Sequence, residues 1–175
     1  MSDKYNKTEE SKKEFYFYLG LLSTLFAKME SNLLTILGSL IADDFVLTTT
    51  ILERNSLAQN IELLKKLNNY RDYEKKSLRN LIDKISKIKG TRNLFIHGIW
   101  GEPFELDNDI IMTCDEAKLL YEEEKDANGL IENKSWASKT RHEFRLSYIQ
   151  KLVENVEDII TVQNYFINKL SGHTF

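Results

Sequence analysis

Proline occurs once in this 175-residue chain, at Pro103, and glycine only seven times. So few backbone breakers favour long helices and argue against a many-turned β fold. Cysteine occurs once, at Cys114. No intrachain disulfide can form, a zinc site built on several cysteines is excluded, and a reducing, cytoplasmic setting is expected. There is no basic excess: the formal net charge is −3 at pH 7, which argues mildly against a generic nucleic-acid binder. No apolar run is long enough to span a bilayer. Residues 15–26 (FYFYLGLLSTLF) come nearest, and they follow Lys12 and Lys13, but Glu9, Glu10 and Glu14 precede them. A secretory signal wants a basic, acid-poor start. The apolar spacing also runs on through Met29, Leu33 and Leu37, so the stretch reads as half of a core helix and no membrane association is expected. Gly-rich phosphate loops, serine or cysteine nucleophile arrangements and metal-ligand clusters are all missing, so no metal or cofactor is expected.

What is present is apolar periodicity. A chain of this length is most simply one domain with one sizeable core. Residues 1–8 and 171–175 are polar ends expected to fray. The spacing predicts a first helix over residues 9–41, with Leu22, Phe26, Leu33 and Leu37 on one face and Glu30 as a polar intruder on it. Asp43 and Asp44 mark a break. A second helix is predicted over residues 46–69, burying Leu57, Ile61, Leu64 and Leu67. Asn68, Asn69 and Asp72 make a turn, and a third helix runs from near Asp72 into residues 92–98 (RNLFIHG). Its stripe is Leu78, Leu81, Ile82, Ile85 and Ile88. Gly90 weakens that helix locally by roughly 1 kcal/mol, Gly98 stops it, and Pro103 forbids its continuation.

Residues 101–142 read as an irregular, hairpin-like insertion. Residues 110–113 are β-prone, 115–125 suit a capped helix or a charged strand, 126–129 a turn, and 135–144 an edge strand. A last helix follows over residues 144–170, with Ile149, Leu152, Val153, Val156, Ile159, Ile160, Phe166 and Ile167 as its stripe. With no repeat and no linker, the expectation is an all-α fold: a bundle of four long helices with one short insertion before the last.

Charge is unevenly distributed. Lys75, Lys76, Arg79, Lys84, Lys87, Lys89 and Arg92 make the third helix basic, whereas Glu102, Glu105, Asp107, Asp109, Asp115, Glu116 and residues 122–126 make the next segment acidic. Two readings stand. One is a solvated helix face followed by a solvated loop; the other is a local positive field that draws a phosphate chain to the helix end.

The segment RNLFIHGIW (residues 92–100) holds the candidate chemistry. Extending the third helix's stripe lands on Arg92, Phe95 and Ile99, so a permanent cation occupies an apolar position and needs a partner. In one reading Arg92 pairs with Glu30 as a buried strut, His97 complements the helix C-terminus and Trp100 is a core aromatic. In the other the pair is catalytic. Histidine exchanges a proton near neutral pH, and the planar guanidinium matches a phosphate or a phosphorane-like transition state. Together they suffice for RNA cleavage without metal, with Asn93 orienting the histidine or holding a phosphate oxygen. On a straight helix Arg92 and His97 point roughly 140° apart. Convergence then needs unwinding after Phe95, an arginine that reaches round, or a second copy packed antiparallel to complete a composite site. His142, beside Arg141 and near Arg145, is either a second phosphate contact or an ordinary strand or loop residue, and His173 lies in the tail.

With Asn93 after Arg92 and Gly98 after His97, the segment resembles the R-x4-6-H signature of the HEPN superfamily, all-helical bundles of which many are metal-independent ribonucleases in toxin–antitoxin, abortive-infection and antiphage systems. The order of elements is also similar: a long first helix with an acidic residue (LFAKMESNLL, Glu30), a second helix, a basic third helix ending in the motif and a final amphipathic helix. The likeness spans roughly residues 10–170, although only RNLFIHGIW is specific. It implies Arg92 and His97 as the catalytic pair, Asn93 and Glu30 as supporting residues, RNA as substrate, and a homodimer with both motifs at the interface, with an antitoxin or defence partner. One HEPN branch is silenced by nucleotidylation of a tyrosine two residues after the histidine; here that position is Ile99, which has no hydroxyl to modify. The overall acidity leaves open a non-catalytic member that binds a nucleotide or a protein partner.

Overall fold

Leu22, Phe26, Met29, Leu33, Ile36, Leu37 and Leu40 recur every three or four residues and are all fully buried, which makes the first helix amphipathic along most of its length. The computed structural model describes residues 2–42, 44–107, 109–116, 119–125, 127–138 and 140–171. In chain order it contains α1 (Ser2–Ile41), α2 (Phe45–Leu52), α3 (Leu57–Arg71), α4 (Lys75–His97), β1 (Ile99–Trp100), β2 (Phe104–Leu106), β3 (Asp109–Asp115), β4 (Leu119–Lys125), β5 (Ile131–Ser138), β6 (Arg141–Arg145) and α5 (Leu146–Leu170). The chain is mostly helical. No helix among the described residues is long and apolar enough to cross a membrane.

Helix α1 begins at Ser2 rather than at the expected residue 9; Met1 and residues 172–175 lie outside the described residues. Two further expectations need correction.

The predicted second helix is two helices, so the described residues hold five and not four. Asp44 caps α2, its carboxylate accepting from the Leu47 N–H at 2.9 Å. Residues 53–56 then break the run, and the last of them, Ser56, starts α3 with a capping box. The Ser56 hydroxyl accepts from the Gln59 N–H at 3.3 Å, and the Gln59 side chain accepts from the Ser56 N–H at 2.8 Å, satisfying two donors that a helix start otherwise leaves open. Helix α3 ends at Asp72 in the left-handed region, φ 54°. Just before it, Arg71 donates to the last carbonyls of α1, Leu40 and Ile41, at 3.1 and 3.2 Å.

The insertion is also more regular than a hairpin-like excursion. The described residues between 99 and 145 carry six strands. Strand β3 is central: Ile111, Cys114 and Asp115 each pair on one side with β1 or β2 and on the other with β6, all antiparallel. Paired on both edges, β3 buries Ile110, Ile111, Met112 and Cys114 as a nearly continuous apolar run. Strands β4 and β5 form a separate antiparallel hairpin. Its turn includes Gly129 at φ 81°, a conformation costly for other residues. Of residues 115–125, Asp115 ends β3 and residues 119–125 form β4, so the described part takes the strand alternative, and the expected edge strand over 135–144 is two strands, β5 and β6.

The chain divides into two compact units, Met1–Leu19 with Asn93–Ile149, and Gly20–Arg92 with Gln150–Phe175. Helices α1, α4 and α5 contribute residues to both. The second unit is helical, its core built from the α1 stripe together with Ile61, Leu64, Leu81, Ile85, Val156, Ile159 and Phe166. There the buried Gln163 donates to the Met29 carbonyl at 2.8 Å. The first unit buries Phe15, Phe95, Phe144, Leu146 and Ile149 along with the apolar residues of β3.

Candidate functional site

In the helical unit, the stripe Leu78, Leu81, Ile82, Ile85 on α4 is fully buried, and Arg92 continues it. Its guanidinium Nε donates to the Glu30 carboxylate of α1, the two polar intruders of facing apolar stripes meeting as an ion pair. Their side chains retain 18% and 27% exposure, so neither group sits in dry interior. A buried arginine without such a partner would be strongly destabilising.

In the other unit, Asn93 and His97 are exposed and Phe95 is buried. Among the described residues the His97 imidazole makes no hydrogen bond or ion pair. Its backbone, by contrast, is firmly held. A helix end leaves carbonyls without partners, and three neighbours occupy two of them here. The Leu94 carbonyl accepts from Gly98 N–H at 2.7 Å and faces the Cys114 thiol at 3.7 Å. The Phe95 carbonyl accepts from the indole N–H of Trp100 at 3.2 Å. The Trp100 ring meets Phe95 edge-on at 4.8 Å, and both rings contact Phe144. Trp100 is therefore more than a core aromatic: it closes the helix that carries His97.

Gly98 stops the helix for a steric reason. A Cβ there would stand 2.2 Å from Cys114 Sγ and 2.4 Å from the Leu94 oxygen. Only a residue without a side chain lets β3 approach so closely. Burial, reinforced by the Asp115 charge, pushes the Cys114 thiol up to about 11, which keeps it un-ionised near neutral pH and a poor nucleophile.

Helix α4 remains helical through His97, so unwinding after Phe95 does not occur. Helical phase alone then separates Arg92 and His97 by roughly 140° and about 7.5 Å along the axis. Asn93 and His97, four residues apart, share a face.

The weaker candidates resolve differently. His142 lies on β6 opposite Cys114, half-buried, with Nε2 3.6 Å from Glu116. Beside it, Arg141 grips Asp115 through two hydrogen bonds of 2.8 and 3.0 Å, which hold the Asp115 carboxyl below its ordinary range. Arg145 lies 3.5 Å from Asp109. These are cross-strand pairs, so this part of the acidic segment is paired strand rather than a solvated loop, and His142 is a half-buried strand residue. Another acidic residue, Glu102, accepts from the Tyr16 hydroxyl at 2.9 Å. His173 lies outside the described residues. On α4, Lys76, Arg79, Lys84 and Lys87 are exposed, whereas Lys89 is half-buried. Among the described residues no His, Cys, Asp and Glu side chains gather as a metal site. Sequence reasoning did not foresee the roles of Trp100 and Cys114, which depend on the β1–β3 register that pairs them. No family model, curated protein or solved structure matches this chain.

Proposed function

We propose that the protein is a metal-independent endoribonuclease of the HEPN type, built on that family's helical bundle and acting in the cytoplasm as a toxin or in antiphage defence. It works as a homodimer. The observation that carries this reading is the state of His97: an exposed imidazole without a charge partner among the described residues, on a backbone fixed by Gly98 and Trp100, at the end of a basic helix. A proton-transfer group has to be reachable by substrate and rigidly placed. Arg92 is the charge-stabilising partner, with Asn93 and Glu30 in support. Because one helix holds Arg92 and His97 on different faces, the second copy's helix completes each site.

The reaction is in-line attack of a ribose 2′-hydroxyl on the adjacent phosphorus. The O2′–P bond forms, the P–O5′ bond breaks, and a 2′,3′-cyclic phosphate and a 5′-hydroxyl result. His97 handles the 2′-hydroxyl proton or the leaving-group proton. Arg92 stabilises charge building on the phosphoryl oxygens. Single-stranded or looped RNA is the expected substrate, since its sugar can swing into line.

The test is RNA cleavage in EDTA with end-group analysis. Wild type should leave cyclic phosphate ends, and His97→Ala and Arg92→Ala should each abolish cleavage. A His97→Ala protein that cuts at the wild-type rate would remove the assignment. One observation favours a second reading. Glu30 already engages Arg92, which suits a non-catalytic dimerisation module that binds a nucleotide or a protein partner, such as an antitoxin. That reading expects no cleavage by wild type under any metal-free condition.

A further inference from the structure

The helical unit contains a groove of about 580 Å³ that the site above does not use, within the range typical of small-molecule pockets, roughly 300–1,000 Å³. It runs along α1 from Ser31 to Ala42, and is also lined by α2 and by Leu170 and Ser171 at the end of α5.

Six hydroxyls line it, those of Ser31, Thr35, Ser39, Thr48, Thr49 and Ser171, and four of them spend their protons on the helix backbone. Thr35 donates its hydroxyl proton to the Ser31 carbonyl at 3.1 Å, Ser39 to the Thr35 carbonyl at 3.0 Å, and Thr48 to the Asp44 carbonyl at 2.7 Å. At the end of α5, Ser171 donates to the Asn168 carbonyl at 2.8 Å. A hydroxyl has one proton and two acceptor lone pairs. With each proton committed to its own helix backbone, these four side chains can offer a ligand only acceptors. Among the described residues, Glu53, the C-cap of α2, is the one charged group in the lining, and no lysine or arginine is part of it. The ends of α2 and α5 add the negative poles of two helix dipoles. The nearest cation to Glu53 is Arg54, 3.7 Å away and almost fully exposed, where solvent screens it. The rest of the lining is aliphatic, chiefly Leu34, Leu52 and Leu170.

We infer that this groove binds an amphipathic primary amine, its ammonium head meeting Glu53 and the acceptor hydroxyls, its aliphatic body lying along Leu34, Leu52 and Leu170. An ammonium carries three donors and no acceptor, the complement of these four hydroxyls and of Glu53, whereas a phosphate or carboxylate meets a like charge there. The groove is independent of Arg92 and His97, so it does not rest on the ribonuclease reading.

Isothermal titration of the full chain tests this, with n-octylamine as probe and octanoate and ethylamine as controls for charge and tail. Octylamine should bind saturably, at least about tenfold more tightly than either control. Glu53→Gln should weaken octylamine about threefold or more, the scale of a partly exposed ion pair. Ser39→Phe and Thr35→Phe, each filling the groove from α1, should abolish binding while melting curves confirm folding. Equal affinity for octanoate on wild type would overturn the charge assignment whatever the variants do. Unchanged octylamine binding in either folded phenylalanine variant would overturn the location.

Discussion

Arg92 on α4 and Glu30 on α1 form an ion pair in which each is the one charged group on an otherwise apolar stripe. Such a pair contributes little relative to well-packed apolar residues, but losing one member leaves an unpaired, partly buried charge. Glu30→Ala and Arg92→Ala should each lower stability by about 1–3 kcal/mol. Glu30→Leu combined with Arg92→Met should return to within about 1 kcal/mol of wild type. Urea unfolding of the four proteins measures this. If the double variant is as unstable as the sum of its parts, the pair is not the coupled unit described. The catalytic reading adds a separate expectation: the double variant is stable and cuts no RNA.

How much of this was legible in sequence divides along physical lines. Helical stripes repeat within one element, so α1, α4 and α5 could be read from spacing alone, and so could the meeting of Arg92 and Glu30, two polar residues on apolar faces. The break at residues 53–56 also had a local signal, Ser56 followed three residues on by Gln59, but the surrounding apolar run masked it. The strands were another matter. Residues 110–113 read as β-prone, yet a strand's partners lie far along the chain, and no local pattern sets the register that brings Trp100 opposite Cys114. The closure of α4 by Trp100 and the steric need for Gly98 both depend on that register.

Gly98 should not tolerate a methyl group. Its Cβ would meet the Cys114 sulfur and, worse, the Leu94 backbone oxygen, which cannot rotate away. Gly98→Ala should therefore destabilise by roughly 2–3 kcal/mol or more. Adding Cys114→Ala removes the sulfur clash but not the carbonyl clash, so thermal melts should show incomplete recovery. Full recovery would mean that the helix end itself has room to move.

The capping box at Ser56 is what separates α2 from α3. Ser56→Ala removes the acceptor for the Gln59 N–H and should cost about 1 kcal/mol. Ser56→Asp retains an acceptor at that position and should fall within a few tenths of wild type. Chemical denaturation distinguishes these outcomes, and an alanine variant as stable as wild type would show that α3 needs no cap.

Cys114 gives the pH prediction. Burial in the folded chain raises its thiol from the ordinary value, near 9, to about 11. The sign follows from proton counting. Below pH 9 both states hold the proton and the contribution to stability is fully present. Between about 9 and 11 the unfolded state loses its proton while the folded state keeps it, so unfolding becomes progressively easier as pH rises. Denaturation midpoints should fall over this range, and Cys114→Ala should flatten that fall while lowering stability at pH 7 through the lost contact with Leu94 and Gly98. The same burial should protect the thiol from iodoacetamide at pH 8 until the chain is unfolded. Rapid alkylation of the folded protein would place the sulfur at the surface, contradicting its position against Gly98 and Leu94.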